Sequence, residues 1–324
     1  MRTARSNGLL ALFALLVVAG CGTPLQVSQQ GGRQSTWIAP DAKDLPLLFF
    51  EGDVNLGNIY VFSLPDMTLK GTIGGLSMPL GLCSDSAGHV YVVESGKSRV
   101  DEFTRTGTQI ATYDDTYGYP SGCAVNPKNG DLAVADSGKP YVKVLVYSSP
   151  SSAPTILKLP GQTEAAFAGY NGRGELWVDG SNYDDFVLDR CNASSCKTLK
   201  VPGAQYFAPG AVQWDDVRKT WVVFDQSCYN VNPGSCSYPV SERGVLGEST
   251  EYNNYEHNPV CILPQGVIGG YQKRFVVGGD WEYDTCHDGS NGAYRWGYPQ
   301  GGNPTNYATL PNDARPYGAA ISEK

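Results

Sequence analysis

Several residue classes that carry chemistry are scarce in this chain. Its 324 residues include only three histidines and three methionines, and charged residues make up 17%. There is no Cys-x-x-Cys pair and no Gly-x-Ser-x-Gly elbow, which removes the usual signatures of thiol redox, zinc-ribbon and serine-hydrolase chemistry. No apolar run is long enough to span a bilayer. Past the first 20 residues, no stretch of a dozen residues repeats its apolar positions with helical spacing. Basic residues number 24 against 32 acidic ones, a net charge of −8. Such a surface repels phosphate backbones and gains nothing from anionic lipid, so nucleic acid is not an expected partner. What is plentiful is 39 Gly, 21 Pro and 20 Tyr, the composition of a chain with many turns between short strands.

The chain opens with Arg2 and Arg5, then an apolar run from Leu9 to Val18, then Ala19-Gly20-Cys21. The run is of secretory-signal length. Small residues directly before a Cys resemble the lipobox of bacterial lipoproteins, which implies that residues 1–20 are removed and that Cys21 is acylated. Gly22 in place of Asp implies the outer membrane where the host has one. Each buried methylene of an acyl chain adds about 0.8 kcal/mol, so several chains hold firmly. Residues 21–45 are rich in Gln, Gly, Ser and Thr and are expected to form a flexible tether, with the folded domain spanning 46–324.

Eight further cysteines follow, an even number suited to disulfides in an exported chain. Spacing suggests local pairs Cys191 with Cys196 and Cys228 with Cys236. It also places Cys261 with Cys286 in one repeat and leaves Cys83 and Cys123 in neighbouring repeats.

The decisive signal is an internal repeat. Pro-x-Gly occurs at Pro79-Leu80-Gly81, Pro120-Ser121-Gly122, Pro264-Gln265-Gly266 and Pro316-Tyr317-Gly318, with weaker copies at Glu164-Ala165-Ala166 and Ala208-Pro209-Gly210. About a dozen residues after each comes a β-branched and aromatic run ending in an acid. The six acids are Glu51, Glu94, Asp136, Asp179, Asp225 and Asp280. A period of about 40 to 50 residues is that of a propeller blade. The first acid-ended run has no Pro-x-Gly strand before it, and the last Pro-x-Gly strand has no blade after it. The two halves complete one blade, so the expected fold is an all-β, six-bladed propeller closed by the C-terminal strand joining the first blade, which leaves no open edge.

The repeat holding Gly81-Leu82-Cys83, Gly88-His89-Val90-Tyr91-Val92-Val93-Glu94-Ser95-Gly96, Arg99-Val100 and Phe103 resembles the NHL repeat. The next, through Ala135-Asp136-Ser137-Gly138, is similar but lacks the Arg-Val step. The resemblance implies architecture, not activity. Cys83 lies two residues after its repeat Gly and Cys123 one after. Strand side chains alternate faces, so the pair is expected to staple adjacent blades.

The six acids are expected on one face around the pore. Each either caps its own turn through loop N–H groups or joins a ring of carboxylates able to hold Ca²⁺. Six-bladed lactonases, which the ring resembles in outline, hold such an ion with Glu, Asn and Asp together. Asn182 and Asn230 follow two of the acids, but no lone Glu with two Asn stands out. The last two repeats are enlarged and aromatic. Trp281, Tyr283, Tyr294, Trp296 and Tyr298 either fill oversized blades or present a surface for a glycan or an envelope protein. The leading expectation is a lipid-anchored, extracytoplasmic binding module, and the alternative is an ion-dependent hydrolase of the lactonase type. Replacing the acylated position, Cys21→Ser, is expected to move the protein from the membrane pellet to the soluble fraction on cell lysis; continued pelleting would remove the anchor.

Overall fold

The computed structural model describes residues 35–183, 185–204, 207–226, 228, 235–253, 260, 263, 265–270, 273–280 and 291–324. Their strands form six antiparallel sheets, five of four strands and one of five. Blades 2 to 6 each run outward from an inner strand: Pro79–Ser84, Pro120–Val125, Glu164–Tyr170, Pro209–Asp215 and Val267–Gly269. Blade 1 takes its inner strand from the far end of the chain. Pro316–Glu323 pairs with Leu47–Asp53, bringing Leu48 opposite Ser322 and Phe50 opposite Ala320. The expected closure is the one observed.

Alternation within the strands gives each blade two apolar faces, and these pair up around the ring. Six buried clusters correspond to six interfaces. Phe50, Val61, Leu82 and Val92 pack blade 1 on blade 2, and Tyr91, Val93, Val134 and Leu145 pack blade 2 on blade 3. Phe49, Phe62, Phe275 and Val277 close blade 6 on blade 1. Between blades 4 and 5, Trp177 and Trp221 stack with ring centroids 4.3 Å apart. Each such buried side chain contributes about 1.5–3 kcal/mol.

The repeat glycines have a single cause. Near the axis the inner strands approach backbone to backbone. A Cβ on Gly81 would lie 2.5 Å from the Ser121 carbonyl oxygen, one on Gly122 2.5 Å from that of Ala166, and one on Gly318 2.2 Å from that of Leu80. Any side chain at these points would hold neighbouring blades apart.

Cys83 and Cys123 form the inter-blade disulfide, with Cα atoms 5.7 Å apart. Cys191 and Cys196 face each other across a hairpin, and Cys228 pairs with Cys236. Cys261 and Cys286 lie outside the described residues. One boundary differs from expectation. Trp37–Ile38 adds a fifth strand to blade 1, opposite Gly71–Thr72, a 3₁₀ turn spans Pro40–Asp44, and Ala42 is fully buried. The domain therefore begins before residue 37, because apolar Trp37, Ile38 and Ala42 find a blade edge that the surrounding polar composition hides.

Gly122→Ala places a methyl against the blade 4 backbone and is expected to cost about 1–3 kcal/mol, read as a lower midpoint in urea unfolding; an unchanged midpoint would show that the inner strands are not in contact.

Candidate binding face

The second strand of each blade ends on the face where the next inner strand is entered, and there the acids sit. Three of the six, joined by Asp53, share one register. Glu94 stands opposite Pro79, Asp136 opposite Pro120, Asp225 opposite Pro209 and Asp53 opposite Pro316. A proline cannot donate to the ladder, so the strand pair is open at this point and an N–H just upstream needs an acceptor. The carboxylate supplies it. Asp53 accepts from Arg315 N–H at 3.0 Å, Asp136 from Tyr119 at 3.2 Å, Asp225 from Ala208 at 2.9 Å and Glu94 from Ser77 at 2.6 Å. Asp53 went unnoticed in the sequence, although it ends its strand as the others do.

Glu51 is therefore not the blade 1 member of this set. The strand Leu47–Asp53 runs two residues past it, and Glu51 falls opposite Ala319, where the equivalent residues of the other blades include Val92, Val134 and Val223. It is fully buried, and among the described residues neither carboxylate oxygen has a hydrogen-bond partner. Burial, with the nearby Asp53 charge, pushes its pKa well above the usual carboxylate range, which favours the neutral form. The room for it comes from blade 6: a Cβ on Gly279 would lie 2.5 Å from Glu51 Oε1.

Asp179 is also out of register. Gly180 occupies the acid position, opposite Ala165, and a Cβ there would meet the Gln162 amide oxygen at 2.4 Å. Asp179 faces the other way and accepts Phe167 N–H at 2.7 Å; burial raises its pKa well up despite that bond. Asp280 ends its strand opposite Gly292 and is fully buried.

Charge surrounds two of the ring acids. Lys143, itself fully buried, places Nζ 2.9 Å from Asp136 Oδ2 and donates to the Gly138 and Tyr141 carbonyls. Around Glu94 stand Lys97, Arg99 and Asp101. Burial pushes Glu94 up, but hydrogen bonds from Asp101, Lys97 and Ser77 leave it below its ordinary value. Asp101 is pushed up to about 6, first by burial and then by Glu94.

Among the described residues no three of the ring acids converge on a common point. The one group of metal-capable side chains that does is Asp85, His89 and Glu102, on the opposite face. Among the described residues the ring acids by themselves thus form no cluster for a Ca²⁺ ion, and Asn230 lies outside the described residues.

The axis is plugged. Phe167 of blade 4 and Tyr317 of blade 1, from opposite sides of the ring, stack with centroids 6.2 Å apart. Gln265 accepts from the Leu82 and Ala319 N–H groups and donates to the Leu82 carbonyl at 2.7 Å. Above the plug, on the acid-bearing face, is a vestibule of about 380 Å³ with Tyr119, Ser121, Glu164, Ser181, Gln226 and Tyr317 in its wall. Burial pushes the Tyr317 hydroxyl up to about 12, so it stays protonated. On the same face Tyr119, Tyr141, Tyr183 and Met78 are exposed, Tyr183 by 84%.

The aromatic residues of the last repeat behave differently from the surface reading. Tyr294 and Trp296 are fully buried and Tyr298 nearly so, packed with Phe224 and Tyr252 between blades 5 and 6. Their spacing of two puts them on one strand face, turned into the interface. Trp281 and Tyr283 lie outside the described residues.

Against known proteins, the chain is 33% identical over 93 residues to NHL-repeat-containing protein 4 of Homo sapiens, covering 27% of this chain and 74% of that one. The Mus musculus protein of the same name is 29% identical over 124 residues, covering 37% and 88%. The chain belongs to the NHL-repeat proteins. No protein-family profile matches it. Solved structures share the fold of this NHL-repeat protein at low identity. One is a nidogen/laminin complex, with a TM-score of 0.64, 14% identity and coverage of 85% and 98%. A Bacteroides caccae protein of unknown function gives 0.65 at 12%, covering 86% and 100%. Streptogramin B lyase gives 0.55 at 15%, covering 91% and 89%. The stretch from Gly81 to Phe103, which resembles the NHL repeat in sequence, forms the inner three strands of blade 2.

Glu51 yields a stability test. Its folded pKa is raised, so the stability it permits is complete below the unfolded value of about 4.3 and is lost as pH rises toward the folded pKa. Glu51→Val, restoring the residue of other blades, is expected to stabilise by about 1–3 kcal/mol at pH 7.5, the cost of an unpaired buried group. The gain should shrink below pH 4; a gain independent of pH, or none, would show that the carboxyl is satisfied.

Proposed function

We propose that this NHL-repeat propeller is a lipid-anchored, extracytoplasmic recognition module that takes a protein or glycan on its acid-bearing face. The observation that carries the reading is the vestibule on that face, walled by hydroxyl, amide and carboxylate groups with the exposed Tyr119 among them, while Tyr141 and Tyr183 are exposed in loops of the same face. Tyrosine offers a flat apolar face for a sugar ring or a side chain together with a hydroxyl that bonds to either. The plug of Phe167, Tyr317 and Gln265 gives a floor, so the site suits a ligand that rests on the ring and does not pass through it. Three disulfides support an oxidising compartment. Among the described residues no helix is long and apolar enough to cross a membrane.

The fold neighbours include one propeller crystallised in a protein–protein complex and one named as a lyase, so fold alone favours neither class. The hydrolase alternative needs carboxylates free to grip an ion, whereas Asp53, Glu94, Asp136 and Asp225 each accept a backbone N–H.

The test uses the Cys21→Ser protein, purified soluble, on a glycan array and as bait for cell-envelope extracts. A saturable ligand is expected, with Tyr119→Ala and Tyr183→Ala each weakening it by about tenfold or more. Absence of any ligand in both formats, or a ligand indifferent to both substitutions, would count against the acid-bearing face as a recognition surface.

A further inference from the structure

Blade 2 carries, on the face away from the ring acids, a side-chain cluster that the blade itself does not require. Its first hairpin turns over Asp85, whose Oδ1 accepts the N–H groups of Ala87 and His89, both at 2.9 Å. The same turn recurs at Asn126, Asn171 and Asp215, which accept from Lys128, Arg173 and Val217. This role accounts for one oxygen of Asp85. The other, Oδ2, lies 3.3 Å from His89 Nδ1, and that nitrogen lies 2.9 Å from Oε1 of Glu102 on the third strand.

The other blades serve as internal controls. Glu102 stands opposite Tyr91; the equivalent residues are Val146, Arg190 and Pro239. The place of His89 is taken by Asp131, Glu175 and Thr220. Neither residue is therefore a demand of the fold. In blade 4 the two positions hold Glu175 and Arg190, an ion pair of balanced charge. Blade 2 instead turns two carboxylates on one imidazole, and neither carboxylate is paired with a Lys or Arg among the described residues. A neutral imidazole leaves two negative charges facing one point.

The geometry at that point is that of a coordination face. Nδ1, Oδ2 and Oε1 all lie within 4.8 Å of one another, with the two measured edges at 3.3 and 2.9 Å. Bonds of about 2.0–2.2 Å at tetrahedral or octahedral angles need edges of about 3.0–3.4 Å. The carboxylates are also held from behind. Tyr113 donates to Glu102 Oε2 at 3.2 Å, and Tyr91 donates to Asp85 Oδ2 at 3.3 Å, the outer-shell support that orients metal ligands. His89 is one-third exposed and both carboxylates are mostly covered, so the open positions would face water.

We propose that Asp85, His89 and Glu102 bind a divalent first-row transition metal of the zinc class. An imidazole nitrogen with two carboxylate oxygens suits zinc or its neighbours, and three protein ligands fall well short of the oxygen cage that Ca²⁺ takes. The ion ties the hairpin to the third strand of blade 2. That hairpin also holds the ring's closing strand: Ser322 Oγ donates to the Gly88 carbonyl at 2.7 Å, and Ser84 Oγ donates to that of Ile321 at 2.6 Å. Metal occupancy therefore braces the closure from its blade 2 side. This site is independent of the recognition face.

The experiment uses the full chain with Cys21→Ser, which removes a competing thiol, purified without a histidine tag and stripped with EDTA. Calorimetric titration with ZnCl₂ at pH 7.5 is expected to show one equivalent bound, with a raised melting temperature, and Co²⁺ is expected to give an absorption band that Zn²⁺ displaces. His89→Ala and Glu102→Gln should each weaken binding at least about tenfold, while Glu175→Gln in blade 4 leaves it unchanged. His89 lies in an exposed hairpin, so His89→Ala is expected to fold and carries the test if Glu102→Gln does not; its melting curve in EDTA confirms this. No stoichiometric uptake, or uptake that survives His89→Ala unchanged, overturns the proposal.

Discussion

Six inner strands have to converge on one axis with almost nothing between them, and the rest of the molecule follows from that crowding. Where Gly81, Gly122 and Gly318 meet the neighbouring backbone, the blades come close enough for their outer faces to bury Trp, Phe and Val in six continuous seams. The same crowding introduces each inner strand through a proline in four of the blades, which removes a ladder hydrogen bond and leaves an upstream N–H to be satisfied. A carboxylate at the end of the adjacent strand is the remedy in each of those four blades. Glycine, proline and acid are thus three parts of one solution to a packing problem at the centre of the ring.

That solution also separates scaffold from specialisation. A residue that recurs in register in several blades is explained by the blade. One that breaks the pattern has to be explained by something else. Glu51 at a valine position, with Gly279 cleared to receive it, is such a break; so are His89 and Glu102. Tyr119, Tyr141 and Tyr183 belong to loops and not to the repeat, and they lie on the face where the ring acids are already committed to the backbone. Recognition on one face and a side-chain cluster on the other can vary without disturbing the seams between blades.

Blade number, strand phase and ring closure were legible from spacing alone, because Pro-x-Gly and the acid-ended runs mark two different strands of every repeat. The acids were less legible. Leu48-Phe49-Phe50-Glu51 looks like a complete run, and only the ladder shows that Gly52 and Asp53 continue it. Asp179 beside Gly180 misleads in the same way, by one residue, since the bulge in five of the inner strands shifts register by an amount the sequence does not announce. The burial of Tyr294, Trp296 and Tyr298 was readable in principle: their spacing of two is a strand face, a signal that outweighs an aromatic-rich composition. Asp85, His89 and Glu102 could not be grouped without knowing that Tyr91 pairs with Glu102. Trp37 and Ile38 were masked by their polar neighbours.

Blade 1 holds the two ends of the described chain at opposite edges, Trp37–Ile38 outermost and Pro316–Glu323 innermost. Tension arriving through the residues before 35 would therefore load a two-residue ladder at the rim, in the peeling direction, where hydrogen bonds yield one at a time. The closing strand lies four strands further in, and the same pull would reach it only as shear spread along its whole length. A domain built this way can give at its rim under mechanical load and relax again without its ring coming undone.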